Sequence, residues 1–188
     1  MRSGALSVES LRTLQEVLQR FITAHEQNDA KTQHDILRQL IEREQAAYQR
    51  KIQLLAELKT LMQETRAVKG TQSRVISLIE AFKFAANLRA IGYDELDDRE
   101  TATKATRAAQ DAFNRLEAIV PKNSIELLDL LSDPSPAVRA TAGAHLLRTA
   151  PERAVPVLED IDQNGSGNPS FSAWFSLARY RAEMGSKP

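Results

Sequence analysis

The chain of 188 residues contains no cysteine. This absence excludes disulfide bonds, thiolate nucleophiles and thiolate metal sites. Aromatic residues make up only 5% of the chain, so the residue types that favour strands are scarce. No apolar run approaches the roughly 18 residues that a membrane-spanning helix needs, and the N-terminus lacks the pattern of a secretion signal. We therefore expect a cytoplasmic protein without a membrane partner.

An excess of charge is also missing. The chain carries 25 basic and 25 acidic residues. Residues 1–70 hold 11 basic and 9 acidic side chains, a net +2, and residues 71–188 hold 14 and 16, a net −2. Nucleic-acid-binding domains usually carry a basic excess, because neutralising phosphates supplies much of their affinity. We expect no nucleic-acid partner.

What the chain has in abundance is leucine, alanine, glutamine, arginine and glutamate, which lose little side-chain freedom in a helix. We predict an all-α fold in which a long helical hairpin over residues 1–69 precedes a compact helical bundle over residues 70–188. Gly70 marks the break between them, and Thr71 or Ser73 is predicted to cap the first bundle helix.

The predicted hairpin has an apolar stripe on each helix, joined by a turn at Asn28 and Asp29. Ser7 is among the residues expected to cap the first helix. Its stripe consists of Leu11, Leu14, Val17, Leu18, Phe21 and Ile22. The second helix is predicted from about Ala30 to about Ala67, and its stripe consists of Leu37, Ile41, Tyr48, Ile52, Leu55, Leu58 and Met62. Two interpretations are open: a solvated amphipathic hairpin, or an arm that forms a homodimer through residues 8–66.

Within the predicted bundle, the first helix is apolar on nearly all sides and is expected to end at Gly92, buried among its neighbours. A short helix over 125–131 is predicted to turn Ile125, Leu128 and Leu131 inward. The stretch QNGSGNPS at 163–170 reads as a loop, after which Ser170 should cap the final helix and Gly185 should end it.

The chain shows no catalytic motif and no pair of histidines at metal-binding spacing. We therefore expect a protein that is not an enzyme and has no cofactor, metal or catalytic residue. The densest charged run consists of Asp94, Glu95, Asp97, Asp98 and Glu100. Such carboxylates favour the N-terminus of a helix, can form a contact patch for a basic partner, or could serve a metal-dependent enzyme, which is the weakest alternative.

The final helix carries a concentration of large side chains. They are Phe171, Trp174, Phe175, Leu177 and Tyr180. Helical spacing makes core packing the default interpretation. The alternative is that Trp174 and Tyr180 anchor a partner, because tryptophan and tyrosine are enriched among binding hot spots.

The stretch SDPSPAVRATAGAHLL at 132–147 resembles a HEAT-type repeat, in which paired helices stack and an arginine meets the aspartate of the turn. The matching residues are Leu130, Leu131, Asp133, Pro134, Val138, Arg139, Ala142 and Leu146. The resemblance implies that the bundle ends in a HEAT-like helix pair. It also implies that Asp133, Pro134, Val138 and Arg139 are structural residues of the repeat.

Residues 72–183 as a whole resemble a small, uncharacterised bacterial all-α family whose members are similar to immunity proteins of polymorphic or type VI secreted toxins. The residues that carry the resemblance are Leu78, Phe82, Phe113, Leu116, residues 128–133, Val138, Arg139, Leu146, Pro151, Glu152, Ala154, Leu158 and residues 171–177. It implies an immunity protein that neutralises a cognate toxin by stoichiometric binding, with Asp94, Glu95, Asp97, Asp98, Glu100, Trp174 and Tyr180 as candidate contacts. The alternative is a helical scaffold that dimerises through its N-terminal hairpin.

Overall fold

The computed structural model describes residues 8–27 and 29–185, with side chains from residue 15 onward. Within these ranges the chain forms eight α-helices and one 3₁₀ turn, and contains no strand. The predicted all-α fold is confirmed. Ser7, Asn28 and the side chains of Leu11 and Leu14 lie outside what is described, so their predicted roles stay predictions.

The helices have the following bounds. They are α1 (Val8–Glu26), α2 (Ala30–Ala67), α3 (Thr71–Asp94), α4 (Arg99–Glu117), α5 (Ile125–Leu128), α6 (Pro136–Leu146), α7 (Pro151–Asn164) and α8 (Gly167–Gly185), with the 3₁₀ turn at Asp129–Ser132 between α5 and α6. By compactness the chain divides into two units between residues 54 and 55, inside α2. The predicted boundary at residues 69 and 70 coincides with the α2–α3 connection.

The first unit contains α1 and the first part of α2. Asp29 caps α2, because its carboxylate accepts hydrogen bonds from the N–H and hydroxyl of Thr32, and these bonds lower the pKa of Asp29. Gln33 donates from Nε2 to the carbonyl of Ala24 at 3.3 Å. Ala24 and Ile36 are the most buried apolar residues described here. The long second helix begins and ends where the sequence predicts.

Much of the apolar stripe of the first unit is exposed rather than packed. Leu37, Ile41, Tyr48 and Ile52 of α2 are each about half exposed. At about 100° per residue these four positions fall within about 60° of arc. They therefore form one ridge, which we call the α2 ridge. Leu18 and Ile22 of α1 are similarly exposed.

The second unit has a core built on α3. Leu78, Phe82 and Leu88 of α3 are fully buried, as the apolar composition of this helix predicts. The helix packs along α4, where the Phe82 and Phe113 rings lie 5.5 Å apart. The helices α6, α7 and α8 pack on one another, and α3 also contacts α6 and α8. The α3 helix therefore joins α4 to the group formed by α6, α7 and α8.

Several local predictions in the second unit are wrong. Gly92 does not end α3 but lies inside it, so close to α4 that a Cβ there would be 2.9 Å from the backbone nitrogen of Ala102. No side chain caps α3, whose N-cap residue is Gly70. The short helix exposes Ile125, leaves Leu128 half-buried and buries Leu127, because a 3₁₀ turn follows after four residues and shifts the inward face. Leu131 is buried as predicted.

The predicted loop at 163–170 is mostly helical. The α7 helix continues to Asn164 and α8 begins at Gly167. Ser170 therefore lies inside α8, where its hydroxyl donates to the carbonyl of Asp162 at 3.2 Å. Gly167 has a φ of 66°, which glycine adopts without steric cost, so the chain reverses direction in two residues.

The Asp-Pro turn is held differently from the HEAT-like expectation. Arg139 donates from Nη1 to the carbonyls of Asp133 and Pro134, at 2.8 and 3.1 Å. The Asp133 carboxylate instead accepts from the N–H of Ser135 and pairs with Lys83 of α3 at 3.1 Å. Arg139 does tie the turn, but the buried Asp133 carboxylate links the turn to α3. Val138 is buried, and whether the short helix α5 and α6 form a HEAT-like pair stays a prediction.

Candidate protein-binding surface

The position of α8 is set by two polar contacts with α3. The carboxylate of Asp94, the last residue of α3, accepts from the N–H of Asn168 at 2.9 and 3.0 Å, in the first turn of α8. One turn further on, Arg89 donates to the hydroxyl of Ser172 at 2.7 Å. The second contact is partly buried. These bonds fix which face of α8 meets the core.

The core-facing side of α8 consists of small or aliphatic residues. Pro169, Ser172, Ala173 and Leu177 are buried there. The large aromatic residues lie on the opposite side: Phe171, Trp174 and Phe175 are 61%, 51% and 55% exposed. Core packing, the default interpretation from sequence, is therefore wrong for these three side chains and right for Leu177.

The three exposed rings form one cluster, which we call the aromatic surface. Phe171 lies 5.8 Å from Trp174 and 6.4 Å from Phe175, measured between ring centroids. Aromatic rings at these separations stabilise one another, so the cluster is preorganised. Large exposed apolar patches are uncommon on monomeric proteins, and those that occur often mark binding sites.

A groove borders the aromatic surface at Phe175. It has a volume of about 300 Å³ and is lined by residues of α4, α6 and α8 and of the turn after α6. Its rim carries Arg148 and Arg179, which both bind Glu183, at 3.1 and 3.0 Å. Tyr180 lines the groove and is only half buried, so of the two predicted anchors Trp174 lies within the aromatic surface and Tyr180 beside it.

His145 lies at the floor of this groove. Its imidazole stacks on Phe113 with centroids 4.3 Å apart and also meets the edge of Phe82 at 6.2 Å. Burial, followed by the positive charge of Arg89, lowers the pKa of His145 to about 4. The floor is therefore an uncharged aromatic ring at neutral pH.

The acidic run is largely engaged in holding helix ends. Asp98 caps α4, since its carboxylate accepts from the N–H groups of Glu100 and Thr101. Asp94 binds α8 as described above, and Glu100 pairs with Lys104 at 2.7 Å. Asp97 adopts a φ of 45° in the turn between α3 and α4. Asp97 and Glu95 are exposed, and the role of the run as a contact patch stays a prediction.

Over residues 8–27 and 29–185, no three histidine, aspartate or glutamate side chains come close enough to hold a metal ion. None of the helices described there is long and apolar enough to cross a membrane. Asp94 and the other carboxylates of the acidic run thus do not form a cluster that could bind a metal ion.

The sequence did not predict Phe171, Phe175, Arg148, Arg179 or Glu183 as surface residues of a site. A signal was present at α8, because Phe171, Trp174, Phe175 and Ala178 follow the i, i+3, i+4, i+7 spacing of one helix face. That spacing does not say whether the face points inward. Arg148 lies in the turn after α6 and Arg179 lies in α8, and only the tertiary fold brings them together.

The chain matches no protein-family model, no curated protein and no solved structure.

Proposed function

We propose that this chain is a non-enzymatic binding protein whose partner protein docks on the aromatic surface of α8. The observation that supports this proposal is the placement of Phe171, Trp174 and Phe175 on the face of α8 opposite the core, each more than half exposed. Exposing three neighbouring aromatic rings leaves a large apolar area in contact with water. A partner that covered the rings would remove that area from water, and aromatic residues dominate such interfaces.

The resemblance to bacterial immunity proteins suggests what the partner is. In the cytoplasm, the chain would bind a cognate toxin of a type VI or related secretion system and neutralise it stoichiometrically by covering or distorting its active site. No chemistry by this chain is required. The aromatic surface would supply most of the binding energy. The exposed acidic residues Glu95 and Asp97, which follow the α3 end bound to α8, would attract basic residues of the toxin.

The test is co-expression with the protein encoded by the neighbouring gene. The wild-type chain should rescue cells that express this protein and should co-purify with it in equal amounts. The variant F171S/W174S/F175S should lose both rescue and complex formation. The control I125S removes another strongly exposed apolar side chain and should behave like the wild type. If the triple variant rescues as well as the wild type, the aromatic surface is not the toxin-binding site.

The second candidate function, a dimeric scaffold, is favoured by the α2 ridge. Leu37, Ile41, Tyr48 and Ile52 have spacings of four, seven and four residues, which are symmetric about the midpoint between Glu44 and Gln45. Two antiparallel copies of α2 would therefore bring Leu37 opposite Ile52 and Ile41 opposite Tyr48. From Leu37 to Ile52 the ridge extends over about four helical turns.

Sedimentation of the full chain tests the dimer. A dimer that becomes monomeric in I41E/Y48E and persists in the surface control R43E/R50E supports the scaffold. A wild-type chain that sediments as a monomer at high micromolar concentration removes this second candidate.

A further inference from the structure

The groove beside the aromatic surface has a specific chemical character. One wall is apolar and aromatic, with Phe175 and Tyr180, and the floor is the imidazole of His145. The rim is formed by Arg148 and Arg179, whose side chains are 70% and 67% exposed. A ligand group entering the groove would meet aromatic surface on one side and guanidinium groups on the other.

The charges at the rim do not balance. Glu183 is the only carboxylate among the described residues that line the groove, and it lies between the two guanidinium groups. Arg148 uses Nη2 and Arg179 uses Nε for this carboxylate. Each guanidinium has five N–H groups, so both can also donate to a second acceptor. Both arginines lower the pKa of Glu183.

A further positive charge lies behind the floor. Arg89 is close enough to His145 to lower the pKa of that imidazole by electrostatic repulsion, and among the described residues no carboxylate forms an ion pair with Arg89. The Arg89 guanidinium binds the neutral hydroxyl of Ser172. Among these charged groups the three arginines outnumber the one glutamate, although the whole chain is neutral.

We infer that this groove recognises an acidic segment of the partner protein, in which an aspartate or glutamate binds Arg148 and Arg179 while a neighbouring apolar side chain packs on Phe175 and Trp174. Arginine binds carboxylates in two-pronged geometry that lysine cannot match. The inference rests on the proposed binding function and adds the chemistry of the partner. The groove would thus bind an acidic part of the partner, whereas the acidic run near the first turn of α8 would attract a basic part.

A peptide selection tests the inference with the full chain. Random 12-residue peptides displayed on phage are selected on the immobilised wild-type protein. The best peptide is then synthesised, together with a version in which every aspartate and glutamate is replaced by its amide. Binding is followed by the fluorescence of Trp174, which is the only tryptophan and lies in the surface itself. Circular dichroism checks that each variant is folded.

The inference expects selected peptides that combine acidic and apolar residues. Removing their carboxylates should weaken binding about tenfold, in line with the strength of charge-assisted hydrogen bonds. R148Q/R179Q should weaken binding to a similar degree. E183Q should strengthen it, because the two arginines then lose their internal carboxylate. A merely structural role for these residues would not produce opposite signs.

Other outcomes separate the failures. Neutral or basic peptides that change the fluorescence of Trp174 would overturn the inference of an acidic partner segment. The aromatic surface would then still be a binding site. If no selected peptide changes the fluorescence of Trp174 or binds more weakly to W174S, both the inference and the proposed site fail. Self-association that W174S abolishes, or flotation with phosphatidylserine vesicles that W174S abolishes, would assign the surface to a second copy or to a membrane and overturn the inference.

Discussion

The imidazole of His145 lies parallel to the ring of Phe113, with an angle of 13° and 4.3 Å between centroids. A histidine in this position behaves as an aromatic core residue. Protonating it would place a charge against two phenylalanine rings and near Arg89. The geometry accounts for the direction in which its pKa is displaced, since burial and a nearby positive charge both disfavour the cation.

The stability of the fold should therefore decrease on mild acidification. Between pH 6.5 and about 4 the unfolded chain binds a proton at His145 that the folded chain does not. The contribution of His145 to the free energy of unfolding is therefore fully present above pH 6.5 and is lost as the pH falls toward 4. The loss should reach about 3 kcal/mol at most. Urea denaturation at several pH values measures it. H145Q should flatten the curve over this window, and an unchanged slope in H145Q would assign the effect to other groups.

Gly92→Ala should destabilise the second unit. Alanine normally stabilises a helix relative to glycine by about 1 kcal/mol, but here its Cβ would lie 2.9 Å from the backbone nitrogen of Ala102. The backbone of α4 would have to move, at a cost of about 1–3 kcal/mol. Thermal unfolding should show a lower Tm for this variant. Gly185→Ala is the matched control, since nothing lies within 4 Å of its Cβ position, and its Tm should not fall.

Asp133→Ala should cost more stability than Arg139→Ala. The first change leaves Lys83 without its carboxylate and removes the acceptor for the N–H of Ser135. The expected loss is about 2–4 kcal/mol for a largely buried carboxylate. Arg139 binds only backbone carbonyls at the half-exposed edge of the turn, so its loss should cost about 1 kcal/mol. Chemical denaturation gives both values, and the reverse order would refute this account of the turn.

Ser172→Ala should weaken the packing of α8. Burial lowers the pKa of Arg89, which means that its guanidinium has left part of its water and depends on protein partners. The Ser172 hydroxyl accepts from it at 2.7 Å, and removing that acceptor should cost about 1–3 kcal/mol. Hydrogen exchange should show faster opening of α8 in this variant. Ser176→Ala, one turn further along, is the control and should leave the exchange of α8 unchanged.

The variant F171S/W174S/F175S should fold like the wild type and lose little stability. All three rings are more than half exposed, and replacing exposed side chains usually changes stability by less than about 0.5 kcal/mol each. The Tm should fall by no more than a few degrees, and the variant should be more soluble. A collapse of the fold would show that the rings are structural after all, and it would invalidate the variant as a test of binding.

The helices themselves could be predicted from sequence because their signals are local. The absence of glycine and proline between residues 30 and 67 correctly bounds α2, and the apolar composition of α3 correctly predicts its burial. The predicted end of α3 at Gly92 was wrong because glycine has two structural roles in helices. It terminates helices, and it also permits the close approach of a neighbouring helix, which depends on a residue ten positions away.

The candidate site was harder to predict because it depends on which face of α8 is buried. The buried face is held against α3 by the contacts of Asp94 with Asn168 and of Arg89 with Ser172, which join positions 74 and 83 residues apart. Nothing in the spacing of Phe171, Trp174 and Phe175 distinguishes an inward from an outward stripe. The same contacts explain why Asp94, predicted as part of a surface patch, is engaged at a helix end.

These two long-range contacts have a consequence for biosynthesis. During translation, α3 emerges from the ribosome about 75–80 residues before the part of α8 that covers it, which corresponds to several seconds at typical rates. Until then the sides of α3 that meet α8, and the buried arginine, remain open to the surroundings. We expect the second unit to complete its core only after its last helix is made, so chaperones have their main opportunity to bind this chain during that interval.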